Sequence, residues 1–339
     1  MRAELLDPRT DLRWRDFVGR APGATIFHHP AWLDLLATQY GWDFRASCLT
    51  DTDGRLTAGL PWARVESRLT GSRLVALPFS DACPPLLDGG SREELAAAAD
   101  EARRAAGLGL EVRWRLDALG GAAPHRFWLH TLALDRDADA VARRARGGIR
   151  RGAAKARREG LTFERRTDAG ALDAFFALHV RTRRRQGAPT QPKRFIARLG
   201  RLFEDGHGFV AQVRTESGRA AAAAVFLQAG DHLTYKYGAS ERSALPLRPN
   251  NLLFAEVIRW ACESGCRELD FGRTDLDNEG LRQFKLGWGA EELPLHYTYA
   301  GMEPPSGTSR AERTVGHLIR HSPPLVGRLT GSALYRHLG

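Results

Sequence analysis

The stretch LRPNNLLFAEVIRWACESGCRELDFGRTDLDNEGLRQFKLGWGA, residues 247–290, constrains the fold more than any other part of the chain. It reads as a helix, a strand, a polar loop and a second helix that ends in Phe284-Lys285 and Trp288-Gly289-Ala290. A buried strand that hands charged and amide side chains to a loop is the arrangement in which α/β proteins place their chemistry. Arg273, Asp275 and Lys285 are the first candidates for a site.

The rest of the chain limits what that site can serve. With 339 residues there is enough chain for two domains, and 43% hydrophobic with 27% charged residues describes a globular protein. No run approaches the roughly 18 apolar residues of a membrane span. The opening MRAELLDPRTDLRW has neither an apolar core nor a small-residue cleavage site, which predicts a cytoplasmic protein. Cys48, Cys83, Cys262 and Cys266 are too few and too scattered for a disulfide framework and read as packed thiols. The formal net charge of +10 is weak support for a polyanionic partner until its placement is known.

Taken in order, 25–37 reads as a loop leading into a helix that faces inward through Trp32, Leu35 and Leu36. Two strands follow, joined by an Asp53-Gly54 turn. The run RLVALPF ends in the turn around Ser80-Asp81. Ser91 and Glu94 open a helix that Gly107 closes. Strands GLEVRWRL and HRFWLHTLAL are expected to complete this first α/β unit near Asp135. A second unit runs from Leu161 to about Ala300: a strand, two helices, a hairpin at Ser217-Gly218, an alternating strand HLTYKYGAS, the 247–290 stretch and a last strand LPLHYTYAG. The two units share an order of elements, which suggests a duplication of fold without a residue-level repeat.

Between the units lies the most lopsided segment, with Arg143, Arg144, Arg146, Arg150, Arg151, Lys155, Arg157 and Arg158 against the single acid Glu159. It is read either as a solvated linker helix or as a patch for phosphates. After Gly301 the chain turns Pro/Gly/Ser-rich and closes with a basic amphipathic tail. That tail either packs back on the domain, the favoured reading, or lies on a membrane.

Several chemistries drop out. There is no G-x-S-x-G elbow, no cysteine beside a local base, and no HExxH, Walker A or G-x-G-x-x-G motif. What survives is direct transfer between two bound substrates, in which positioning does most of the work. Lys285 could then stabilise a developing oxyanion, while Asp277 and Asn278 also suit helix capping.

At this point the residues Asn-Asn-Leu-Leu, Asp-Phe-Gly-Arg and Phe-Lys-x-x-Trp-Gly, in that order between Tyr235 and Tyr299, carry a resemblance. The stretch resembles the second acyltransferase domain of the FemABX group in the GNAT-like superfamily, alongside the CelD/BioF2-like acetyltransferases. The resemblance implies an α/β protein of two tandem GNAT-like domains, laid out here as 1–140, a basic linker helix 141–160, a catalytic domain 161–301 and a helical tail 302–339. It implies amide formation without a covalent enzyme intermediate, the donor being aminoacyl-tRNA and the acceptor an amine on a cell-wall precursor or a small metabolite. No bound cofactor is expected. An acyl-CoA donor, with an exopolysaccharide, lipid or secondary-metabolite amine as acceptor, is the alternative. A non-enzymatic RNA- or membrane-binding protein on this fold is a third reading. The group's Phe-Lys motif falls on Phe284 and Lys285, and a loosely matched acid falls on Asp81. Substrate contacts are assigned to Arg273, Asp275, Asn250, Asn251, Tyr237, Trp288 and either Arg181 or Arg183. Contacts to tRNA or phosphate are assigned to Arg143, Arg146, Arg150, Arg151 and Lys155. One departure stands out: where an acetyl-CoA enzyme has a Gly-rich loop opening a helix, this chain has Leu247-Arg248-Pro249-Asn250-Asn251.

Overall fold

The computed structural model describes all residues except 68–69, 121–122, 126, 306–309 and 338–339. The chain forms two compact units, the first built from Met1–Leu129, Leu293–Ser306 and Tyr335–Gly339, the second from His130–Glu292 and Gly307–Leu334.

In the first unit, β1 (Arg2–Leu6), α1 (Leu12–Arg20), α2 (Pro30–Tyr40), β2 (Asp43–Thr50), β3 (Leu56–Val65), β4 (Arg73–Ala76), β5 (Leu86–Leu87), α3 (Arg92–Ala106) and β6 (Gly109–Val112) follow one another. The β2–β3 hairpin turns at Gly54, whose φ of 78° favours glycine. Helix α3 starts where expected: the Ser91 hydroxyl accepts from the Glu94 N–H, and Gly107 ends the helix in the left-handed conformation. Strands β4 and β6 pair in parallel, which requires a crossover, and α3 supplies it.

The chain enters the second unit within β7 (Phe127–Ala133), continues through α4 (Ala138–Arg144), α5 (Gly147–Arg158), β8 (Thr162–Arg166), α6 (Ala169–Gln186), α7 (Lys193–Glu204), β9 (Gly208–Arg214), β10 (Ala220–Ala229), β11 (His232–Ser240), α8 (Pro249–Glu263), β12 (Glu268–Asp275) and α9 (Glu279–Leu286), and leaves it within β13 (Glu291–Leu295). Then come β14 (Thr298–Ala300), α10 (Arg310–His321) and α11 (Pro324–Leu334).

Both sheets have seven strands. The first runs β1-β2-β3-β4-β6-β14 with β5 on β3, and the second runs β13-β7-β12-β11-β10-β9-β8. Two strands therefore differ from expectation. Strand β7, read as the close of the first unit, is a strand of the second sheet, and β14, read as the end of the second unit, pairs with β6 of the first. Periodicity marks a strand but not its partner, and only register with a neighbour decides which sheet takes it.

Residues 141–160, read as one linker helix, form α4 and α5 with a break at Ala145-Arg146. The Gly147-Gly148 pair weakens the helix there, and the Arg146 N–H leaves the helical ladder to donate to the Gly287 carbonyl at 2.7 Å. Val141, Ala145 and Ala156 enter the same core as Leu252, Phe254, Val257, Ile258 and Trp288. These helices are thus an integral layer of the second unit. The tail helices α10 and α11 also belong to it: Ile319, Gly327 and Gly331 are buried, and the Thr190 N–H donates to the Gly327 carbonyl.

Candidate active site

The site is built around a distortion of β12. Asp270 sits between Leu269 and Phe271 in the buried part of the strand, and its carboxylate accepts the Gly272 N–H at 2.6 Å. Gly272 takes a φ of 72°, open to glycine at little cost. The Lys285 ammonium collects the carbonyls beyond this bend, donating to Gly272 O at 2.7 Å and to Arg273 O at 3.0 Å. Although Lys285 lies in the last turn of α9, where a lysine would normally reach solvent, it is only 1% exposed. The Asp-Phe-Gly-Arg and Phe-Lys pieces are therefore one device: Asp270 bends the strand, and Lys285 fastens the bend.

A second buried chain of bonds reaches the same strand from β7 and β13. His130 is fully buried, with Nδ1 at 3.3 Å from the Thr274 hydroxyl and Nε2 at 3.0 Å from Glu292. Arg282 grips both oxygens of Glu292 at 2.7 Å, which holds that carboxyl below the usual range. An ionised carboxylate can only accept, so the His130 proton sits on Nε2 and Nδ1 accepts from Thr274. Burial, reinforced by the Lys285 charge, pushes the imidazole down and keeps it neutral. Lys285 and His130 thus flank β12 within one electrostatic environment.

The neighbouring strand leaves β12 at this point. Strands β11 and β12 pair only from His232–Thr234 to Glu268–Asp270, although β11 continues to Ser240 and β12 to Asp275. A bulge explains the parting. Tyr235 and Tyr237 face the consecutive residues Phe226 and Val225, so Lys236 is extra. The bulge puts the two tyrosines on opposite faces, correcting the simple alternation read from the sequence. Tyr235 turns toward α8, 5.0 Å from the Phe254 ring, which in turn packs on Phe271 and Phe284. Tyr237 turns toward α6 and α7, 5.9 Å from His179 and 6.3 Å from Phe195. Parallel strands that diverge at their carboxyl ends open a crevice of the kind in which α/β sheets bind ligands.

Helix α8 starts beside this crevice. Pro249 occupies its first turn and removes an N–H, and Arg248 precedes it at a φ of 62°. Asn251 donates to the Ile149 carbonyl at 3.4 Å, and α5 lies so close that a Cβ on Gly152 would come within 2.9 Å of the Asn251 side chain. Asn250 and Asn251 are half-buried here. The helix start is thus closed over by α5.

The remaining expected residues fall as follows. Phe284 packs between Phe254 and Trp288. Trp288 is buried against a 120 Å³ cavity bounded also by Val141, Ile149, Ile258, Asp139 and Arg150, and its indole nitrogen has no partner among the described residues. Asp275 is exposed at the end of β12, and Asn278, not Asp277, caps α9 by accepting from the Leu281 N–H. Arg181 pairs with Glu241 at 3.2 Å, and Arg183 donates to the Pro189 carbonyl, holding the turn after α6. Asp81 belongs to the first unit, where its carbonyl accepts the Tyr297 hydroxyl at 2.7 Å. Of the basic set, Lys155 donates to the Pro246 carbonyl, Arg146 to Gln283, and Arg143 reaches Asp137 at 3.6 Å. Arg150 and Arg151 are exposed and have no ion pair among the described residues. Sequence reasoning placed Thr274 at the end of the strand but missed Asp270, His130 and Glu292. Asp270 and His130 carried a usable signal, since each is an ionisable residue at an apolar position of a buried strand.

Residues 143–293 match a family model described as an acetyltransferase (GNAT) domain. No curated protein matches the chain. Among solved structures, FemX superposes with a TM-score of 0.70 at 18% identity, covering 88% of this chain and 96% of that one. The C-terminal domain of a putative lysylphosphatidylglycerol synthetase from Agrobacterium fabrum follows at 0.56 and 15% identity, with 86% and 91% covered. A tandem GNAT protein from the clavulanic acid biosynthesis pathway reaches 0.51 at 15% identity, with 89% and 100% covered. The resemblance drawn from the Tyr235–Tyr299 motifs thus holds at the level of fold, and both sheets take their place in a tandem arrangement. The chain has the FemX fold, and its residues 143–293 are similar to the acetyltransferase (GNAT) domain.

Proposed function

We propose that this protein is an amide-forming acyltransferase that passes an aminoacyl group from tRNA to an amine by direct attack. The observation that carries the choice of donor is the closed start of α8. A CoA pyrophosphate would be held by free N–H groups at a helix N-terminus. Here Pro249 lacks one, and the Asn251 and Leu252 N–H groups lie 3.1 and 3.4 Å from the Arg248 carbonyl. Helix α5 covers the turn and turns Arg150 and Arg151 outward, which suits a sugar-phosphate backbone better than a single cofactor.

In this reading the acyl group lies in the crevice between β11 and β12. Its carbonyl is close enough to the bent Gly272–Thr274 segment for the Lys285 charge to favour the oxyanion of the tetrahedral intermediate. His130, neutral and oriented by Glu292, keeps Thr274 fixed while the amine attacks; the intermediate then breaks its bond to the tRNA ribose oxygen, which leaves as a hydroxyl with the proton the amine gives up. The test is transfer of label from charged tRNA to candidate amines, with and without RNase, beside acetyl-CoA as donor. Turnover that survives RNase rules out the tRNA donor.

A second reading has one observation in its favour. The edge of β11 beyond Thr234 has no β12 partner, and such an edge binds any extended donor arm, including an acyl-CoA thioester. Thermal stabilisation by CoA thioesters but not by RNA would select it.

A further inference from the structure

The tail helices carry an inverted pattern. Helix α11 buries Gly327 and Gly331 and exposes Leu325 and Leu329, which are 56% and 62% accessible. Close packing explains the glycines: a Cβ at Gly331 would collide with the Thr190 carbonyl oxygen, and one at Gly327 would touch Ile319 and Thr190. Nothing in the unit explains the leucines. They stand four residues apart on one helical face, and Leu318 on α10 is a further 57% exposed. These three are among nine large apolar side chains exposed across the described residues, so the two short helices hold a third of them.

The charges of the two helices are mostly of one sign, with Arg310, Arg313, Arg320 and Arg328 against the one acid Glu312. From Thr314 to Leu334 the sequence contains Arg320, Arg328, His317 and His321 and no acidic residue. Arg328 follows Leu325 by three positions on the same helix; its side chain is exposed while its guanidinium lies 5.9 Å over the Phe176 ring, from which it can swing to a headgroup. Arg320 donates to the Gln186 carbonyl at the end of α6, which brings α10 beside Arg183, Arg184 and Arg185 of that helix. An apolar face bordered mainly by cations matches one kind of surface, an anionic lipid bilayer, where leucines enter the acyl boundary and arginines stay with the phosphates.

We propose that α10 and α11 form a peripheral membrane-docking surface for anionic phospholipid, with Leu325 and Leu329 as the inserted residues and Arg328 beside them at the headgroups. The tail thereby does both things its sequence allows: the glycine face packs on the protein, and the leucine face meets lipid. The proposal is independent of which donor the acyl site uses.

The test is co-sedimentation of the full chain with phosphatidylcholine vesicles, with and without phosphatidylglycerol, using the parent and a Leu325→Gln/Leu329→Gln variant. Both side chains are exposed, so the variant is expected to keep the parent's melting temperature. Docking predicts binding to the phosphatidylglycerol vesicles only, and at least a tenfold drop in partitioning for the variant. Arg328→Gln should weaken binding more in low salt than in high salt. The proposal is overturned if the parent ignores anionic vesicles or if the leucine variant partitions equally well. It is also overturned if the same leucines instead hold two copies together, seen as a dimer that the variant dissociates, or if RNA competes away all vesicle binding.

Discussion

Replacing Lys285 by methionine keeps the aliphatic stem and removes the ammonium, which isolates what the charge does. In the folded chain that ammonium donates to Gly272 O at 2.7 Å and Arg273 O at 3.0 Å while only 1% exposed. A hydrogen bond to a charged group contributes about 1.5–3 kcal/mol. Two of them, offset by relief of the buried ammonium's desolvation, give an expected loss of about 2–4 kcal/mol. The loss should be local, since β12 past Asp270 has no β11 partner to support it. Amide exchange at Gly272, whose N–H bonds Asp270, reads it directly: about 3 kcal/mol corresponds to roughly 100-fold faster exchange. Label transfer by the variant should fall at least as far, because the Gly272–Thr274 segment loses both its shape and its charge. If exchange at Gly272 stays within about twofold of the parent and transfer persists, the ammonium neither fastens the bend nor serves the reaction, and the account of this site fails.

Other outcomes follow from the same geometry. Asp270→Asn keeps the size but loses the charged acceptor for Gly272, so it should destabilise β12 by about 1–2 kcal/mol and slow transfer, as checked by urea melts and single-turnover rates. Burial pushes the His179 imidazole down to about 4. Its folded value lies below the unfolded one, so stability is complete above pH 6.5 and is lost as pH falls toward 4. The loss reaches about 3 kcal/mol below that, and His179→Phe should flatten this limb in pH-dependent denaturation. Arg150→Glu with Arg151→Glu should weaken binding to tRNA at least tenfold and lower the salt slope by about two, leaving the melting temperature near the parent's. Gly331→Ala should free α11 from Thr190, measured as cleavage in the tail at protease concentrations that spare the parent.

Local order was legible because it depends on neighbours along the chain. Ser91 and Gly107 bounded α3, Asp53-Gly54 turned a hairpin, and the ordered motifs between Tyr235 and Tyr299 pointed to the right fold. The Phe-Lys pair drew attention to Lys285, a position expected at the surface that the structure buries. What the sequence could not express were relations between distant segments. Lys285 is buried only because Asp270 and Gly272 turn two carbonyls toward it, thirteen residues back. His130 matters only because β7 joins the sheet of β12 and β13, placing it between Thr274 and Glu292. The bulge at Lys236 reverses Tyr237 through a register with β10 that periodicity alone would have drawn straight. Side-chain pattern determines which face of an element is buried. Pairing, register and the satisfaction of buried polar groups decide what that face meets, and these are fixed only when the whole chain closes.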